Sequence, residues 1–107
     1  MATKRIRSAQ LFAALGDETR LGLITRLCAS GPMSVSALTV DSRVTRQGVT
    51  KHLRVMERVG LARGKRHGRE SVWEVDLMRI EDAQRYLEEI STQWDEALAR
   101  LQKFVER

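Results

Sequence analysis

The sequence predicts a mainly α-helical domain that carries one β-hairpin and ends in a long helix. Three observations predict it. Apolar residues recur at helical spacing in short blocks between Ser8 and Val59. Past Gly60 the period shortens to two, as a half-buried strand requires. From Ile80 onward helical spacing returns as an unbroken alternation of three- and four-residue steps, a heptad seam. At 107 residues the chain has the size of one domain, residues 1–107, with a core at 8–76 and a C-terminal helix at 77–107.

Ala9, Leu11, Phe12 and Leu15 predict a first helix from Ser8 to Leu15, ended at Gly16. Asp17 is placed to cap a second helix with Glu18 in its first turn. Leu21, Ile24, Leu27 and Cys28 read as its buried face, and Gly31-Pro32 stop it. On that stripe Cys28 reads as a small buried hydrophobe. Ser34 caps a third helix, Val35 to Ser42, with Val35 and Leu38 facing inward. A turn of two or three residues at Arg43-Val44 then leads to Thr45, the cap of a fourth helix over 45–59 that ends against Gly60.

Leu61 to Arg66 and Glu70 to Val75 predict a hairpin about His67-Gly68-Arg69, with Trp73 and Val75 on one side and Glu74 on the other. The last helix runs from about Arg79 to Glu106 on the seam Ile80, Ala83, Leu87, Ile90, Trp94, Ala97, Leu101 and Phe104. Ile80 to Leu87 is expected to pack on the chain's own core. Some 27 residues at roughly 1.5 Å each make a rod of about 40 Å, longer than that core covers. Ile90, Trp94, Ala97, Leu101 and Phe104 are therefore expected to form a homodimer interface.

Charge is distributed unevenly. Residues 43–69 hold nine Lys/Arg against one Asp/Glu, whereas 70–107 hold five against ten. So basic a block points to a polyanionic partner, and no basic amphipathic helix with an aromatic face lies inside it to suggest a membrane surface. No apolar run approaches a membrane span and the amino terminus has no signal-peptide core, so a cytoplasmic protein is expected. One cysteine makes neither an internal disulfide nor a thiolate metal site. Two histidines without a partnered nucleophile make no catalytic constellation. No enzyme, catalytic residue or cofactor is expected.

A short helix, a turn and the fourth helix make a helix-turn-helix, whose second helix enters the major groove of double-stranded DNA. At about 100° per residue Val49, Leu53, Met56 and Val59 fall on one side of that helix, and Gln47, Thr50, Lys51, Arg54 and Arg58 on the other. Gln pairs bidentately with adenine, Arg and Lys with guanine, and the cations also hold phosphates. Gly48 costs about 1 kcal/mol relative to alanine in a helix; it reads either as room for a close backbone approach or as simple tolerance. His52, at the edge of the buried side, reads equally as a packed, hydrogen-bonded histidine or as a phosphate contact. Lys65, Arg66, His67 and Arg69 crowd the hairpin tip, which makes it a basic wing over 63–70 fit for the minor groove or flanking phosphates.

The stretches LFAALGDETRLGLITRL, MSVSALTVDSRVTRQGVTKHLRVMERVGL and GKRHGRESVWEVD resemble the ArsR/SmtB-type winged helix-turn-helix repressors over nearly the whole chain. The runs from Asp17 to Leu21 and from Arg46 to Leu53 are its most specific parts. The resemblance implies a homodimeric repressor that binds a palindromic operator and releases it when an inducer binds. It gives Arg46, Gln47, Thr50, Lys51 and His52 as matching DNA-contact positions. With Thr45, Arg54, Lys65, Arg66 and Arg69 added from the residues themselves, these form the expected DNA-binding set. Many metal-sensing relatives carry a Cys-x-Cys box where this chain has Ser34 and Ser36, poor ligands for soft metals. No histidine follows His67, and Glu81, Asp82, Glu88 and Glu89 read as a solvated face, so no metal site is expected. Two other functions fit the residues: a small-molecule sensor whose pocket at the dimer seam includes Trp94 and Trp73, and a winged protein-interaction module that docks an acidic partner.

Overall fold

The structure, a computed structural model, describes residues 2–106, with side chains from residue 7 onward. Its elements run α1 (Ala2–Leu15), α2 (Glu18–Ser30), β1 (Met33–Ser34), α3 (Val35–Thr39), α4 (Arg46–Arg58), β2 (Ala62–His67), β3 (Glu70–Val75) and α5 (Leu77–Val105). The strands form one antiparallel sheet in the order β1-β3-β2. The mainly α fold with a hairpin and a long final helix is the one the residue pattern predicts. Individual elements differ. α1 begins at Ala2 instead of Ser8, since a polar stretch can be helical without leaving an apolar period. The two-residue β1, pairing Met33 with Trp73 and Ser34 with Val72, is too short to show any period.

Leu11, Ala14, Leu23, Ile24, Leu27, Val35, Leu38, Val49, Leu53, Met56, Leu61, Ala62, Trp73 and Ala83 form one buried cluster to which every helix contributes. Within α2 the buried face differs from the expected one. Leu23, Ile24 and Leu27 are buried, while Leu21 is 52% exposed and Cys28 is exposed. The stripe starts at Arg20, one turn before Leu23 and Ile24. Its Nε donates to the Ala14 carbonyl of α1 and its Nη1 lies 3.2 Å from His52 Nδ1 of α4. These bonds fix the rotation of α2 about its axis and turn Leu21 and Cys28 outward.

α3 also stops sooner than Ser42. From α2, Arg26 donates to the Leu38 and Ala37 carbonyls at 2.9 and 3.2 Å, taking acceptors that a further helical turn would use. The connection to α4 therefore spans Val40 to Thr45, longer than two or three residues. Asp41 sits in the left-handed region (φ 59°), and Ser42 Oγ accepts the Val44 N–H.

The hairpin closes on Gly68 and Arg69 between the paired His67 and Glu70; Gly68 has φ 61°, the positive value a two-residue turn needs at its first position. Asp76 then caps α5 and Arg79 ties it to α4, its Nε donating to the Val59 carbonyl at 3.0 Å. On α5 only Ala83 is buried, with Ile80 packed beside it and Tyr86 against Phe12 at 5.8 Å between ring centroids. Leu87, expected to pack on the core, is 54% exposed, because the core's reach ends at Tyr86. The radius of gyration is 18.0 Å, against about 13 Å for a compact domain of this size. α5 accounts for the excess. Among the described residues no helix is long and apolar enough to cross a membrane.

Candidate nucleic-acid interface

α4 begins where Thr45 Oγ1 accepts the Gly48 N–H at 3.1 Å, and Val49, Leu53 and Met56 lock one side of it into the core. Packing inside the fold requires Gly48 rather than merely tolerating it. A methyl of Val44, in the preceding turn, occupies the space a Cβ would need. With that side held, Arg46, Gln47, Lys51, Arg54 and Arg58 are exposed on the other, and Thr50 is half-buried among them with its hydroxyl donating to the Arg46 carbonyl at 3.0 Å. Thr45 and Thr50 are thus engaged with the helix backbone. For a partner Thr50 keeps its methyl and its hydroxyl lone pairs, and Thr45 keeps its hydroxyl proton and one lone pair.

His52 stands apart from that face. Its ring is one-quarter exposed, with Nδ1 3.2 Å from Arg20 Nη1 and 3.9 Å from Asp17 Oδ2. The ring is thus packed and hydrogen-bonded within the fold. The same Asp17 caps α2, its Oδ2 accepting the Arg20 N–H at 3.0 Å. That backbone hydrogen bond, aided by the charges of Arg20 and His52, holds the Asp17 carboxyl below its ordinary value against the opposing effect of burial.

In the wing Lys65, Arg66, His67 and Arg69 are all exposed. At its base Arg63 Nε donates to Glu74 Oε1 directly across the strands at 2.8 Å, and Arg63 Nη1 lies 3.8 Å from Asp76. The Arg63 hydrogen bond lowers the Glu74 pKa and raises that of Arg63. The cations thus sort into two kinds. Arg20, Arg26, Arg63 and Arg79 are bound within the fold, whereas among the described residues no ion pair neutralises Arg46, Lys51, Arg58, Lys65, Arg66 or Arg69. Unneutralised like charge displayed on one helix and one adjoining hairpin is the electrostatic footprint of a polyanion site.

A helix-turn-helix domain family profile matches residues 15–64, which span α2 to the first half of β2. An ArsR-like transcriptional regulator from Rhodococcus sp. RHA1 has the same fold with a TM-score of 0.81, at 33% identity over 97% of this chain and 96% of that one. The chain belongs to the ArsR-like winged helix-turn-helix transcriptional regulators. The chain is also similar to an uncharacterized HTH-type transcriptional regulator, YuzN, of Bacillus subtilis (strain 168), 37% identical over 65 residues, 55% of this chain and 71% of the other. A winged helix-turn-helix DNA-binding domain from Mycobacterium bovis, described as homodimeric, shares the fold at 22% identity with a TM-score of 0.66, over 89% of this chain and 84% of that one.

In this ArsR-like regulator the hydroxyls at the Cys-x-Cys box positions are used inside the fold. Ser34 Oγ accepts the Ala37 N–H at 3.1 Å to cap α3, and Ser36 Oγ donates to Glu70 Oε1 at 3.3 Å. Trp73, 1% exposed beneath the wing, is not a lining residue for a pocket on the α5 seam. The residues that sequence reasoning passed over are Arg20, Arg26, Gly64 and Arg79. Their hydropathy marks them as surface or turn, and only their long-range partners reveal them as braces.

Proposed function

We propose that this ArsR-like regulator is a homodimeric repressor that binds a palindromic operator in double-stranded DNA. α4 lies in the major groove with Arg46, Gln47, Thr50 and Lys51 toward base edges and phosphates, and Lys65, Arg66 and Arg69 of the wing reach the flanking backbone. The observation that carries this reading is the set of unneutralised cations on α4 and the hairpin tip. Dimerisation is supported by the exposed apolar ridge of α5, where Trp94 is 68%, Leu101 60% and Phe104 74% exposed, while Ile90 and Ala97 are half-buried beside them. Burying such side chains stabilises by roughly 1.5–3 kcal/mol each. The homodimeric Mycobacterium bovis neighbour supports it further. A two-fold pair of reading helices about one turn of duplex apart implies an inverted-repeat site.

Selection of duplexes from random oligonucleotide pools, followed by mobility-shift titration against competitor DNA, tests the proposal. An inverted repeat should emerge, and affinity for it should fall by about 10³ to 10⁵ between roughly 50 and 200 mM salt for some 6 to 10 phosphate contacts. No enriched sequence, or a flat salt response, would refute it.

A further inference from the structure

Arg54 faces two ways. Its guanidinium carbon lies over the Trp73 ring, 5.5 Å from the centroid, and its Nη1 is 3.1 Å from Glu57 Oε1, one turn further along α4. Trp73 belongs to β3 and is 1% exposed, whereas the side chains of β2 from Arg63 to His67 are exposed. Across the hairpin Trp73 pairs with Gly64, and a Cβ on Gly64 would stand 2.8 Å from the indole. The indole therefore lies directly on the β2 backbone. A continuous line of contacts runs from Glu57 and Arg54 on the reading helix, through Trp73 on β3, to Gly64 on β2.

We infer that Arg54 is a positioning residue for the wing. Stacked on Trp73 and steered by Glu57, it sets the angle between the hairpin and α4, and it influences DNA through the wing cations rather than through a base of its own. A two-stranded ribbon holds its place poorly unless it packs on another element. A guanidinium over an indole is a directional contact that strengthens as water leaves it. When the wing is already set, Lys65, Arg66 and Arg69 meet the duplex without a further ordering cost at binding. The same stack commits the Arg54 side chain to the wing side of α4, leaving Gln47 and Lys51 on the open part of the face. The inference rests on the reading that α4 and the wing both meet DNA, and its test separates the two.

Two measurements decide it. The first compares wild type, Arg54→Ala, the wing variant Lys65→Ala/Arg66→Ala/Arg69→Ala, and the combination of all four substitutions for affinity to the selected inverted-repeat duplex. Arg54→Ala should weaken wild-type binding about two- to fivefold, the loss a stack of this kind implies, and should change the wing variant's affinity hardly at all, with Arg54→Lys recovering part of the loss. Equal losses with and without the wing cations would place Arg54 on the duplex itself and overturn the inference. A wing variant that binds as tightly as wild type would overturn it as well, by removing the route through the wing. The second measurement is amide hydrogen exchange of the DNA-free protein. Arg54→Ala should speed exchange across Gly64 to Trp73 while leaving α2 unchanged, and unaltered exchange there means no brace exists. Because this readout needs no DNA, it judges the brace even if wild type binds no duplex and the proposed function fails.

Discussion

Gly64 has no side chain because the Trp73 indole fills the space one would need. Adding a methyl there places it 2.8 Å from the ring, and one on Gly48 meets the branched Val44, which has no flexible end to swing away. Gly64→Ala and Gly48→Ala are each expected to destabilise by about 1–3 kcal/mol, the usual cost of overpacking. The readout is a lower urea midpoint at unchanged slope, and an unchanged midpoint would mean that the neighbour gives way freely. Asp17 yields a pH prediction. Its carboxyl is held below 3.8, first by the Arg20 N–H, so the stabilisation is fully present above that value and is lost as pH falls through the lower folded value. The gap in thermal midpoint between wild type and Asp17→Ala should be widest near neutrality and close in strong acid; a gap that persists there would show that the carboxylate's charge is irrelevant. At this scale the caps were legible. Asp17, Ser34 and Thr45 each precede an apolar-periodic run, and each accepts the N–H three residues on. The roles of Arg20 and Arg26 were not, because a cation's use is decided by carbonyls and rings remote in sequence.

Elements inherit their rotation from such long-range bonds. The two faces of α4 were legible, since its amphipathic pattern is strong and its own apolar stripe is what enters the core. α2 was not, because Arg20 begins its buried face and disguises that face as surface. α3 was read too long because Arg26 of another helix ends it. Arg79 acts similarly between α4 and α5, donating to the Val59 carbonyl while pairing with Asp82 at 3.4 Å. Arg79→Ala leaves that carbonyl at the end of α4 without its donor. We expect a loss of about 1.5–3 kcal/mol, the range for a hydrogen bond to a charged group. Hydrogen exchange should show the opening concentrated in the last turn of α4 and the first turn of α5. Uniform loosening across α1 and α2 would contradict this local role.

For the whole molecule, the proposed dimer puts its interface on the distal half of α5. Leu98 and Val105 are exposed at 62% and 80% beside the expected Trp94, Leu101 and Phe104, so the apolar ridge is wider than a strict heptad seam. Leu101→Asp with Phe104→Asp touches no core side chain and should leave the circular dichroism spectrum near wild type, while the thermal midpoint falls as the stabilisation from association is lost. Sedimentation at micromolar concentration should then give single chains. Affinity for an inverted repeat should fall toward that for a half-site, since linking two binding units is what raises it. A variant that remains dimeric would move the interface elsewhere, for instance onto α1.

By itself the sequence determined the order of elements other than β1, the caps of α2, α3 and α4, the polar face of α4, the basic wing and the apolar seam of α5. Each is written in local spacing, in which a residue's neighbours along the chain are also its neighbours in space. Tertiary structure alone decided which cations remain available. Arg20, Arg26, Arg63 and Arg79 are bound to carbonyls and carboxylates brought in from other elements, and Arg54 is drawn onto Trp73 of the wing. Charge can be counted along a chain, but whether it is neutralised depends on contacts that only folding creates.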